Sequence, residues 1–90
     1  MTTNEKEKQL RELLTTIDEP KDLNIRNLEL EIFLESTDII SIYNYNGEYV
    51  VYYQCHIWGL WSYFARVNNF AEYIEYLTNN EDIEVIEYKG

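Results

Sequence analysis

The sequence predicts an α+β domain: an antiparallel sheet of about three to five strands around a central Asn46-Gly47 hairpin, with an N-terminal helix and a second helix near residues 69–78 packed on one side. Three observations carry that expectation. Asn46-Gly47 lies between two runs rich in Ile, Val and Tyr, the strongest short-range hairpin pattern. Leu10, Leu13, Leu14 and Ile17 recur at helical spacing. Asn69 and Glu72 occupy the two positions of a capping box ahead of an apolar run. A chain of 90 residues has room for one core, so residues 1–90 read as a single small acidic domain.

The first element is a helix over Asn4 to Ile17 with its apolar stripe on one face, stopped at Pro20, which cannot continue a helix and biases Glu19 toward an extended conformation. From Leu28 to Glu35, Leu28, Leu30, Ile32 and Leu34 alternate with Glu29, Glu31, Phe33 and Glu35, the period-two pattern of a half-buried strand. A second helix starting near Asn24 is the competing reading of residues 23–35, because this run has few β-branched residues.

The hairpin spans Ile39 to His56. A two-residue type I′ turn sets Tyr45 opposite Glu48, Tyr43 opposite Val50 and Ser41 opposite Tyr52 on one face, with Asn44/Tyr49, Ile42/Val51 and Ile40/Tyr53 on the other. The second set, with Cys55, is the better core face. The first is expected to be wet, aromatic and uncharged, displaying Tyr43, Tyr45, Tyr52, Gln54 and His56. Ile57 to Val67 reads as a long strand bent or bulged at Gly59, or as a buried crossover. A helix from Asn69 to about Thr78 is expected to bury Phe70, Ile74 and Leu77, and Ile83 to Tyr88 reads as a closing strand.

A composition of 46% hydrophobic and 16% aromatic residues is too apolar for a disordered acidic tail. The single Cys55 excludes an internal disulfide framework, and with no apolar leader or membrane segment a reducing cytoplasmic location is expected.

Charge is the strongest functional signal. The net charge is -10, and 13 of the 17 carboxylates fall between Asp18 and Asp38 or between Glu72 and Glu87; the second stretch has no Lys or Arg. Residues 1–21 carry four basic and five acidic groups, which leaves -9 for residues 22–90. Such a field repels nucleic acid and attracts basic partners. Aromatic stacking platforms for bases sit in positive grooves, and Arg26 and Arg66 cannot make one, so direct nucleic-acid binding is not expected.

Catalysis finds few of the groups it needs. Cys55 and His56 are adjacent, and neighbours on a strand point to opposite faces, so they cannot form a nucleophile–base pair. Cys55 reads as a core residue and His56 as a surface one. No second Cys or His offers zinc coordination, and Asn79 to Asp82 lacks the spaced carboxylates of a calcium loop. The expectation is a non-enzyme with no cofactor and no metal.

What remains is recognition of a basic protein, a nuclease or another nucleic-acid-binding protein. The candidate contact residues are the carboxylates Glu29, Glu31, Glu35, Glu72, Glu75, Asp82, Glu84 and Glu87, with Tyr43, Tyr45 and Tyr52 as aromatic anchors. Carboxylates two apart on a strand, such as Glu29/Glu31 or Asp82/Glu84, stand roughly 6.5–7 Å apart, near the spacing of successive phosphates. Acidic residues also simply keep a small Tyr-rich protein soluble.

In size, charge and Asn/Ile/Glu/Tyr-rich composition the chain resembles the small acidic inhibitors made by phages and other mobile elements, a group that includes DNA mimics directed at restriction enzymes, DNA glycosylases and CRISPR nucleases. The resemblance implies an inhibitor, of anti-restriction or anti-CRISPR type, acting in a host cytoplasm, and assigns no residue a role. Two alternatives fit the same features: an immunity protein or antitoxin against a basic toxin, and a homodimeric structural or adaptor protein whose seam is the aromatic face.

Overall fold

Asn46 and Gly47 have φ angles of 55° and 93°, the two successive positive values that a type I′ turn requires. The strands they join pair in the expected register, from Tyr45↔Glu48 to Ile40↔Tyr53. Around this hairpin the computed structural model, which describes residues 3–54 and 62–89, builds a six-stranded sheet. The elements run α1 (Thr3–Leu13), β1 (Leu14–Ile17), a 3-10 turn (Ile25–Asn27), β2 (Leu28–Leu34), β3 (Ile39–Tyr45), β4 (Glu48–Gln54), β5 (Ser62–Val67), α2 (Phe70–Asn80) and β6 (Ile83–Tyr88). The order across the sheet is β1-β5-β4-β3-β2-β6, with every neighbouring pair antiparallel. The class is α+β as expected, with more strands than the three to five anticipated.

The extra strand comes from the N-terminal helix, which stops at Leu13 instead of running to Ile17. Asn68, at the end of β5, explains the stop: its backbone N–H donates to the Leu13 carbonyl at 2.8 Å and its side-chain amide to the Glu12 carbonyl at 3.0 Å. Two carbonyls that a helix end leaves open are thereby satisfied. The next residues, Thr15, Thr16 and Ile17, are β-branched and favour the strand that pairs Leu14 with Val67 and Ile17 with Phe64. Residues 28–34 are strand, and the helical alternative contracts to the turn at Ile25–Asn27, where the Asn24 side chain accepts from the Arg26 N–H at 2.9 Å.

The main core joins Leu30, Ile32 and Leu34 of β2, Ile40 and Ile42 of β3 and Val51 of β4 to Leu13 of α1 and to Tyr73, Tyr76 and Leu77 of α2. Both helices therefore lie on one face. Tyr73, Ile32, Ile40, Ile42 and Val51 are the largest fully buried side chains, and each aliphatic one contributes about 1.5–3 kcal/mol. The Asn69 side chain caps α2 by accepting from the Glu72 N–H at 3.1 Å. Leu77 is buried as expected; Tyr73 and Tyr76 are more deeply buried than Phe70 and Ile74, which are half-buried, so the apolar stripe is wider than the spacing implies. Phe70 stacks on Tyr49 with ring centroids 4.0 Å apart. The helix runs two residues past Thr78, because the Asn80 side chain and the Glu81 N–H donate to the Tyr76 and Leu77 carbonyls.

The opposite face holds a second, smaller core of Leu28, Tyr43 and Val50, against which Ile17, Leu23, Tyr45, Tyr52 and Phe64 pack. The link from β1 to β2 crosses this face, and Leu23 is its apolar plug. Cys55, His56, Trp58, Gly59 and Trp61 lie outside the described residues.

Candidate functional site

The two acidic stretches, separated by more than thirty residues, become neighbours because β6 pairs antiparallel with β2 at the end of the sheet. Glu31 and Glu87 lie directly opposite one another, an arrangement that like charges make unfavourable. Lys89 relieves it, with its ammonium 3.1 Å from the Glu87 carboxylate and 3.6 Å from that of Glu31. Those carboxylates, Glu87 first, raise the Lys89 pKa, so it stays charged at neutral pH. At the other end of the ribbon the Glu35 N–H donates to the Asp82 carbonyl at 2.9 Å, which sets Glu35, Asp82 and Glu84 around one corner. Among the described residues no Lys or Arg lies within 4.0 Å of these three carboxylates.

β2 bulges against β3 and β6 bulges against β2, and the extra residue in each bulge is a glutamate. Leu28 and Leu30 pair with the consecutive residues Tyr43 and Ile42, so Glu29 is extra; Phe33 and Leu34 pair with Val85 and Ile83, so Glu84 is extra. A bulge re-aims its side chain. Glu29 accepts from the Asn44 amide at 3.3 Å, and its proximity adds to burial in raising the Tyr49 hydroxyl pKa. The regular rows Glu29/Glu31 and Asp82/Glu84 therefore do not form: Glu29 turns toward Asn44 and Tyr49, and Asp82 precedes the strand. Beside the second bulge, Phe33, Ile39 and Val85 floor an open groove of about 400 Å³ that Asp38, Glu84 and Glu87 rim.

Glu72 and Glu75 belong to a different surface. They project from α2 and, with Gln9 of α1 and Asn79, line a polar groove of about 330 Å³. Of the eight candidate carboxylates, Glu31, Glu35, Asp82, Glu84 and Glu87 share the β2–β6 ribbon, Glu29 is turned from it, and Glu72 and Glu75 are on the helix layer.

The aromatic anchors are more enclosed than expected. Tyr43 is 8% exposed, and burial above all raises its pKa. The Tyr45 hydroxyl accepts from the Asn24 N–H at 3.4 Å, and Tyr52 stacks on Phe64 at 4.4 Å. The expected wet aromatic face is thus filled by Leu23, Ile17 and Phe64, which sequence spacing did not place there. Among the described residues, the large apolar groups that do reach solvent are Ile25, 72% exposed in the 3-10 turn, and three on β6, where Val85 is 45%, Ile86 37% and Tyr88 77% exposed. Strand β6 is legible in the sequence, but its place at the sheet edge depends on pairing order.

Among the described residues no group of three or more His, Cys, Asp or Glu is placed to hold a metal ion, and no helix is long and apolar enough to cross a membrane. The fold and the site together define an acidic α+β domain whose two acidic segments meet on one strand pair at the sheet edge. No family model matches the chain, and no curated protein or solved structure is significantly similar to it.

Proposed function

We propose that this protein is a non-enzymatic inhibitor that binds a basic, nucleic-acid-processing protein, a nuclease foremost, and covers the surface that would otherwise hold nucleic acid. The observation that supports this reading is the convergence of Glu31, Glu35, Asp82, Glu84 and Glu87 on one ribbon in which Lys89 is the only cation paired with any of them among the described residues. Lys89 answers Glu31 and Glu87, whereas Glu35, Asp82 and Glu84, drawn to one corner, have no Lys or Arg within 4.0 Å among the described residues, a crowding of like charge that solubility alone does not call for. A basic partner makes the arrangement favourable, because its cations supply the missing counter-charges and steer the encounter.

The experiment is capture on the immobilised protein from a lysate of the organism that encodes it, at about 50 mM and about 500 mM salt, with mass spectrometry of the eluates. The reading requires a basic nucleic-acid enzyme that is retained at low salt, released at high salt, and slowed when the purified protein is added to its assay. A partner retained equally at both salts, or one whose activity is unaffected, would overturn it.

A further inference from the structure

We infer that β6 is an open docking edge that takes a basic, extended segment of the partner as a seventh strand of the sheet; the inference rests on the function proposed above and specifies its geometry. Among the described residues β6 pairs on one side only, with β2. The Lys89 N–H donates to the Glu29 carbonyl at 2.7 Å. Antiparallel strands alternate between pairs that exchange hydrogen bonds and pairs that do not. Counting along the register, Glu87 and Val85 face β2, while the backbone groups of Ile86 and Tyr88 point away from the sheet. Those outward groups are what an added strand uses.

The side chains of β6 sort by face in a way that selects its partner. On the face of Glu31 and Phe33 stand Glu87 and Val85, with the bulged Glu84 beside them on the rim of the groove floored by Phe33 and Ile39. On the other face stand Ile86 and Tyr88, both exposed. A strand laid along this edge meets carboxylates on one side and apolar groups on the other. Its own side chains alternate faces, so the complementary sequence alternates Lys or Arg with apolar residues. Lysine stems lie over Phe33 and Val85 while their ammonium groups reach Glu84 and Glu87. A second copy of the chain suits the edge poorly, since each brings a charge of -10 and would set its own Glu84 and Glu87 into the seam. The opposite edge differs: β1 has four residues, two of them exposed Thr, and Pro20 follows closely.

The test uses the full chain labelled with nitrogen-15 and two synthetic peptides of equal charge, about twelve residues each, one alternating Lys with Val and one alternating Lys with Pro. Proline lacks the N–H that strand addition needs. The inference predicts that the Lys-Val peptide binds at least tenfold more tightly, and that it slows hydrogen exchange at the Ile86 and Tyr88 amides at least tenfold. Ile86→Pro removes an outward N–H without breaking a β2 hydrogen bond and should abolish that preference; Tyr88→Pro serves if Ile86→Pro does not fold. Equal binding of the two peptides, or binding that leaves the Ile86 and Tyr88 amides unprotected, overturns strand addition and leaves the acidic-inhibitor reading standing. Binding of neither peptide, together with the absence of a salt-released partner, overturns both. A doubled mass by light scattering with loss of exchange at β6 in the free protein assigns the edge to a second copy and also overturns the inference.

Discussion

Removing one hydroxyl should loosen the corner that carries Glu35. The Tyr53 hydroxyl donates to Asp38 Oδ2 at 2.6 Å, and Asp38 is only 9% exposed. Asp38 ends the β2–β3 connection, where its carbonyl accepts from the Leu34 N–H at 3.0 Å and the Leu34 carbonyl accepts from the Thr37 N–H at 3.0 Å. The same connection holds the Glu35 N–H on Asp82, so the phenol of β4 tethers the turn that joins the two acidic segments. Burial and the Asp38 bond raise the Tyr53 pKa, so it remains a donor throughout the neutral range. A short, largely buried bond to a carboxylate contributes about 1.5–3 kcal/mol. Tyr53→Phe keeps the ring and its stacking on Tyr63, whose centroid is 5.3 Å away, and removes the hydroxyl that makes that bond. With a urea slope of about 1 kcal/mol/M for a small domain, the midpoint of urea unfolding should fall by about 1.5–3 M. Asp38→Asn in a double-mutant cycle should show coupling of about 1 kcal/mol or more. A Tyr53→Phe variant within about 0.5 kcal/mol of the parent, or additive variants, would refute the tether.

Three further outcomes follow from the packing. Ile42, 0% exposed at the centre of the sheet, should lose about 2–5 kcal/mol on Ile42→Ala, whereas Ile25→Ala, at a site 72% exposed, should stay within about 0.5 kcal/mol; equal effects in chemical denaturation would contradict the assigned core. Thr37 holds a φ of 74°, costly for a β-branched residue, so Thr37→Gly should raise stability by about 0.5–1 kcal/mol, and a loss would show that the turn has another conformation. Tyr43, Tyr49, Tyr53, Tyr63, Tyr73 and Tyr76 all have pKa values raised above the ordinary 10.0, chiefly by burial. The unfolded chain therefore releases these protons first, and stability is intact below pH 10 and falls as pH rises above it; ultraviolet titration should place phenolate formation higher in the folded protein than in urea, and superimposable curves would contradict the burial.

Local chemistry explains what was legible in the sequence. Asn46-Gly47 sets a turn and through it every pair of the central hairpin, because a two-residue loop leaves no freedom of register. Asn69 caps α2 because its side chain needs only the amide three residues on. What escaped depends on partners distant in the chain. Leu14 and Ile17 extend the helical stripe of Leu10 and Leu13, and only the arrival of Asn68 at Glu12 and Leu13 turns them into an edge strand. The alternation from Leu28 to Leu34 gives no hint that Glu29 is the extra residue of a bulge, since a bulge is a property of two strands together. The aromatic side of the hairpin reads as free surface until Leu23 is seen lying on it. For the candidate site, the acidic character of both segments is plain in the sequence; their adjacency, and the separation of Glu72 and Glu75 from them, come from strand order.

On the proposed function, binding depends on where the carboxylates are, beyond how many there are. Two variants with the same change in net charge separate these: Asp82→Lys/Glu84→Lys on the β2–β6 corner and Glu72→Lys/Glu75→Lys on α2. The measurement is the dissociation constant of each for the captured basic enzyme at about 150 mM salt. The corner pair should weaken binding at least a hundredfold, on the order of 3 kcal/mol, and the α2 pair by less than tenfold. Equal losses would mean that net charge alone attracts the partner, and a greater loss in the α2 pair would move the interface to the helix layer.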